Sequence, residues 1–400
     1  MDKIIGVIGG IPLSKSRNDD TSADRLSHRF TSAILVVFAV VVSAKQFVGE
    51  PINCWVPAHF SGGWEEYTNS YCWIKNTYYL PFDDHIPKHH EHEKRNIIPY
   101  YQWVPIIFLV MALFFYLPTL IWRSLNNKSG IDIKSIVESA ESFQNTEKIA
   151  NRDSTLKHMT EQMHRYLNAQ DYLSSKLTVS LKNCLSVLCV CCGRRQGTYL
   201  VSLYLVTKFF YILNALAQLF ILDVFMGSRF HAYGVQVLKE LSLGQDWTNS
   251  PRFPRVTMCD FLVRRLGNVQ RYTVQCVLPI NLFNEKLFLF IWWWIIFLVL
   301  IQGVALIKWI LRTTSSVDNQ RYIRKHLRLG GIIKSGADDK ENVKRFSNDY
   351  LRPDGIFILR LIGCNTNTIT VTDFVRSLWE KWIEDRNLRQ PEKFPDGKNY

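Results

Sequence analysis

Charge is scarce in four long stretches of this 400-residue chain, and the usual machinery of soluble enzymes is missing throughout. No phosphate-binding loop, dinucleotide fingerprint or nucleophile–base set is present, which argues against nucleotide-dependent and hydrolytic enzymes. Twenty Gly and fourteen Pro exclude a collagen-like or low-complexity chain, and nine Cys in so long a chain exclude a small disulfide-stapled domain. The mean hydropathy of −0.04 resembles that of a soluble protein. That average misleads, because the apolar residues come in blocks and the charges lie between them.

A bilayer core of ~30 Å takes roughly 20 mainly apolar residues in a helix. Four blocks qualify: Thr31 to Val48 with one charge (Lys45), Val104 to Trp122 with none, Tyr199 to Leu222 with one (Lys208), and Leu287 to Leu311 with one (Lys308). Buried helices of a soluble protein seldom run so far without a polar face. The chain is therefore divided into an N-terminal segment 1–29, spans at 30–49, 104–122, 199–225 and 287–311, loops at 50–103, 123–198 and 226–286, and a tail 312–400. The first block has a signal-peptide alternative, since Val42-Ser43-Ala44 resembles a peptidase site. The segment ahead of it is long and carries Asp19, Asp20 and Asp24, which favours an uncleaved span.

Lys and Arg set the orientation. Segments 1–29, 123–198 and 312–400 hold 33 in 194 residues, whereas 51–100 and 226–284 hold 11 in 109. The denser set is expected in the cytosol, which places both termini inside. The cysteines agree. Cys54 and Cys72 fall in one outer loop and Cys259 and Cys276 in the other, where an oxidising compartment favours bridges; four cysteines allow three connectivities. Cys184, Cys189, Cys191 and Cys192 crowd the inner mouth of the third span beside Arg194 and Arg195. Cys189, Cys191 and Cys192 are candidates for palmitoylation; zinc binding and plain thiols are the competing readings.

The segment Tyr100-Tyr101-Gln102-Trp103-Val104, at the mouth of the second span, resembles the signature of the innexins, the invertebrate gap-junction proteins. So do Pro51-Ile52-x-Cys54-Trp55, Tyr71-Cys72-Trp73, Phe253-Pro254-Arg255-Val256-Thr257-x-Cys259 and Leu351-Arg352-x-Asp354-Gly355-x-Phe357, in the family's order. The resemblance implies an all-α membrane protein: a four-span channel subunit with a small disulfide-braced extracellular α+β region and a helical cytoplasmic dome. It implies homo- or hetero-oligomers of eight subunits per hemichannel, docked through the outer loops to a hemichannel of the adjacent cell, in the plasma membrane at gap junctions. It also implies bridges Cys54–Cys276 and Cys72–Cys259, and a pore lined at its narrow point by Met1, Asp2, Lys3 and Ile4.

Other features are weighed beside it. Asp19, Asp20 and Asp24 are candidate caps for the first helix. Pro105 suits a first helical turn, whereas Pro118 removes a mid-helix hydrogen bond and is a candidate gating hinge or a static kink. Tyr100, Tyr101 and Trp103 suit an interfacial aromatic belt, and Trp292 to Trp294 cannot all face one way. His85, His89, His90 and His92 share one outer loop, in which His85-x3-His89-His90 loosely resembles one histidine box of di-iron desaturases. The remaining His form no second box, so a surface zinc or proton site, or a plain solvated loop, are the alternatives. Residues 51–100 hold 4 basic and 6 acidic residues, and 226–284 hold 7 and 3. Arg252, Arg255, Arg264, Arg265 and Arg271 either steer docking or pair within their own loop. Residues 132–175 lack Gly and Pro and predict helix, and Thr370-x-x-Asp373 predicts a capping box opening a helix through Trp382.

The expectation is a gap-junction channel subunit without cofactor, catalytic residue or nucleic-acid partner, in contact with membrane lipids. A non-junctional, pannexin-like hemichannel is the alternative within this class, and a non-conducting four-span adhesion or scaffold protein the alternative outside it.

Overall fold

The computed structural model describes residues 20–81, 85, 96–145, 149–174, 197–227, 229–244, 252–333 and 337–389. Among these, four helices are long and apolar enough to cross a membrane. The first, α1, runs Ser22–Val48, with a π-helical turn at Leu26–Phe30. After it come α2 (Gly62–Lys75), α3 (Val104–Asn126), α4 (Ile133–Asn145) and α5 (Ile149–Ser174). The third long helix, α6, spans Tyr199–Met226; the short α7 (Tyr233–Ser242) follows. The fourth long helix, α8, covers Pro279–Thr314. It begins well before the apolar block, because Pro279 occupies its first position, where a missing N–H costs nothing. The tail forms α9 (Ser316–Leu329), α10 (Ala337–Arg345), α11 (Arg352–Asn365) and α12 (Thr368–Arg389). Helix α3 continues through Pro118.

The chain divides into two compact units. One holds residues 26–117 and 211–302. Its sheet consists of β1 (Asn53–Trp55), β2 (Thr77–Tyr79), β3 (Asn96–Ile98), β4 (Val256–Arg265) and β5 (Asn268–Val277), in the order β1-β5-β4-β2-β3 and with every pairing antiparallel. Strands from two distant segments thus interleave: β4 and β5 form a hairpin, and the short strands lie on either side of it. Phe108, Phe230, Phe253 and Phe288 are fully buried in this unit's core. Gly234 lies so close to the indole of Trp292 that an added Cβ would meet ring carbon at 2.1 Å; glycine is required there by close approach. Trp292 is buried and donates to the His231 carbonyl at 3.0 Å. Trp293 is exposed, and Trp294 donates to Thr31 Oγ1 at 2.9 Å.

The other unit holds residues up to Arg25, 118–210 and from Gly303 onward. It is wholly helical in its described part. Tyr204 of α6 meets Trp122 of α3 at 5.2 Å, Trp309 of α8 at 5.0 Å and Phe357 of α11 at 5.1 Å between ring centroids. Helices α4 and α5 pack on α11 and α12 over Ile133, Ile136, Met163 and Phe374. The proposed capping box at Thr370 is corrected. Helix α12 starts at Thr368, and Asn367 caps it, its Oδ1 accepting from Thr370 N at 2.9 Å and Thr370 Oγ1 at 2.7 Å. Asn ranks with the strongest N-cap residues, and here it takes the role from Thr370.

Candidate functional site

The disulfide-bearing sheet is built from the cysteines outward. Cys54 on β1 lies opposite Cys276 on β5 in the strand register, and their Cα atoms are 3.9 Å apart; a disulfide joins them. A second joins Cys72, on the buried face of α2, to Cys259 on β4, with Cα atoms 5.8 Å apart. The free Cys364 lies on α11. Cys184, Cys189, Cys191 and Cys192 lie outside the described residues, as do Met1, Asp2, Lys3 and Ile4. So do His89, His90 and His92, while His85 is exposed.

The aromatic signature is a structural joint. Tyr100 donates to the Arg252 carbonyl at 2.6 Å and packs edge-on against Phe253. Tyr101 packs on Trp73 at 4.8 Å and donates to its carbonyl at 3.4 Å. Gln102 donates to the same Trp73 carbonyl, and Gln46 of α1 donates to the Tyr101 carbonyl at 2.8 Å. Tyr100, Tyr101 and Val104 are buried, so the aromatic-belt reading holds in geometry only for Trp103, which is 56% exposed. The two tyrosine rings satisfy their hydroxyls inside the protein, which lets them be buried. Pro105 follows in the first turn of α3.

Three of the five loop arginines pair within their own unit: Arg255 with Glu285 at 3.0 Å, Arg271 with Asp260 at 2.6 Å, and Arg252 with Gln236 Oε1 at 2.5 Å. Arg264 is exposed beside the hairpin tip, where Leu266 has φ +45° and is fully exposed. The side chain of Arg265 lies outside the described residues.

In the helical unit, a buried polar node was invisible as such in the sequence. Lys208, read there as a lone charge in a span, has no exposed side-chain surface and lies 2.6 Å from Asp24 Oδ1. Its ammonium also donates to Thr21 Oγ1 at 3.0 Å. Tyr204 donates to Asp24 Oδ2 at 2.7 Å. Thr21 is the N-cap of α1: its backbone N–H and its hydroxyl both point at Asp24 Oδ2, at 3.3 Å and 2.8 Å. Asp24 is thus the acidic partner of a capping box, while Asp20 pairs with Arg25 at 3.4 Å; Asp19 lies outside the described residues. Removing one member of such a buried pair costs about 3–5 kcal/mol, because the other charge is left alone.

Two tail residues titrate unusually. Asp354 of α11 is buried beneath the start of α6, accepts from Val201 N at 3.1 Å and faces the amides of Tyr199 and Leu200. Burial pushes its carboxyl up to about 6, against those amide contacts and the Tyr166 hydroxyl, which lower it. His326 of α9 is bonded through Nδ1 to Thr372 Oγ1 at 2.9 Å. Burial first, and Lys325 second, press its imidazole down to about 4.

The innexin family model matches residues 20–382. The chain belongs to the innexin family. It is similar to Innexin unc-9 of Caenorhabditis elegans, with 38% identity over 92% of this chain and 93% of that protein. Innexin-3 of the same organism is 36% identical over 96% and 88%, and Innexin-11 is 34% identical over 93% and 81%. Innexins form gap-junction channels and are not an enzyme family. In this innexin the signature Tyr100–Val104, the four cysteines and the Leu351–Phe357 motif all fall inside the matched region, and each has a defined structural job: joint, brace and helix cap.

Proposed function

We propose that this innexin is a subunit of an intercellular channel that passes ions and small solutes between adjoining cytoplasms. Eight subunits, identical or mixed, form a hemichannel, which docks to a hemichannel of the adjacent cell through the disulfide-braced sheet. Both termini are cytoplasmic in this reading, and Met1 to Ile4 line the narrow point. The observation that carries it is family membership across nearly the whole chain together with the two disulfides that tie residues 53–98 to residues 256–277. Disulfides persist in an oxidising compartment, which supports placing that unit outside. The excess of Lys and Arg in the other segments supports placing those inside.

Dye transfer between paired cells tests the reading. A junctional channel passes a cytoplasmic dye to the neighbour. A hemichannel leaks it to the medium, and a scaffold does neither; either of those outcomes refutes the junctional assignment.

A further inference from the structure

The first span is fastened at its base in two directions. Asp24 and Thr21 bind Lys208 and Tyr204 of α6, all four buried. One residue on, Arg25 donates to Asn365 Oδ1 at 3.0 Å, and Asn365 Nδ2 returns a bond to the Asp20 carbonyl at 3.2 Å. Asn365 is the last residue of α11, the same helix whose other end places Asp354 under the first turn of α6. Six residues of the chain, Asp20 to Arg25, therefore grip both the third long helix and the tail. An apolar contact would serve packing as well as a buried ion pair does, since desolvation offsets much of the attraction. What the pair adds is a single register, because Lys208 and Asp24 meet in one arrangement while apolar faces slide.

We propose that Thr21, Asp24, Tyr204 and Lys208, tied through Arg25 to Asn365, form a lock that positions the root of residues 1–19. The tail thereby sets how that segment is presented to the conduction path. These are positioning residues and need not touch a permeating ion. The inference rests on the reading that Met1 to Ile4 line the pore, and it adds what holds them there.

The test uses the full-length chain carrying Lys3→Cys in paired cells. A charged thiol reagent is delivered from a patch pipette, and the rate of current change is compared with that of the chain lacking the added Cys. Lys208→Met and Asn365→Ala are each expected to alter the modification rate several-fold, in the same direction, and Lys208→Arg to restore it. A merely structural role would lower the amount of surface protein without changing the rate per channel. Unchanged rates in variants that reach the surface overturn the lock. If Lys208→Met fails to reach the surface, the partly exposed Asn365→Ala decides alone. If the unaltered chain carries no junctional current, the channel reading fails instead; labelling of Lys3→Cys in permeabilised cells, scored by mass, then still tests the lock, and equal labelling overturns it.

Discussion

Asp354 provides the most quantitative prediction. Its carboxyl is buried under three backbone amides at the start of α6 and is pushed up to about 6 from 3.8. A raised carboxyl pKa means that the folded protein holds its proton more tightly than the unfolded chain does. The ionised form is therefore a liability, fully present above pH 6 and relieved as pH falls through 6 towards 3.8. Its size follows from the gap between those two values, at about 1.4 kcal/mol per pH unit: roughly 3 kcal/mol. Asp354→Asn keeps an acceptor for Val201 N–H and removes the charge. In detergent, the melting temperature of the unaltered protein relative to Asp354→Asn should fall as pH is raised from 4 to 7, with nearly all of the change between 4 and 6. Both proteins carry every other titrating group, so these cancel in the difference. Parallel curves, or a difference that grows in the opposite direction, would refute the account of Asp354 as a buried carboxyl strained by its charge.

His326 should act with the opposite sign. Its folded pKa lies below the unfolded value, so stability is lost as pH falls from 6.5 towards 4, and His326→Gln should flatten that acid limb of the melting curve. Gly234→Ala should destabilise by about 1–3 kcal/mol through overpacking against Trp292, read as a lowered melting temperature; Trp292→Phe in the same chain should recover part of it. Cys72→Ser should remove one tie between α2 and β4 and leave the buried Cys259 as a thiol, labelled by maleimide once the purified, unreduced protein is unfolded; absence of labelling there would count against the pairing.

The spans were legible because a bilayer demands an unbroken apolar length, and that demand is local in sequence. So were α4 and α5, where Gly and Pro are absent over residues 132–175. The three-residue strands were not, because β1, β2 and β3 exist only through pairing with partners far along the chain. Lys208 shows the same limit. A single cation in an apolar block carries no hint that its partner lies 184 positions earlier, at Asp24. Tyr100 and Tyr101 looked interfacial because ring plus hydroxyl suits that depth, yet the carbonyls of Arg252 and Trp73 let both rings be buried. In the sequence, Thr370 and Asp373 carry the familiar capping-box spacing; only the fold shows that Asn367 is the cap.

The strand order β1-β5-β4-β2-β3 also fixes a schedule for biosynthesis. Cys54 and Cys72 leave the ribosome 222 and 187 residues ahead of Cys276 and Cys259. The early thiols must wait, reduced or temporarily mispaired, until the β4–β5 hairpin has been made. Oxidative maturation is therefore a late event for this polypeptide, and a truncation before Val256 would leave Cys54 and Cys72 without their partners.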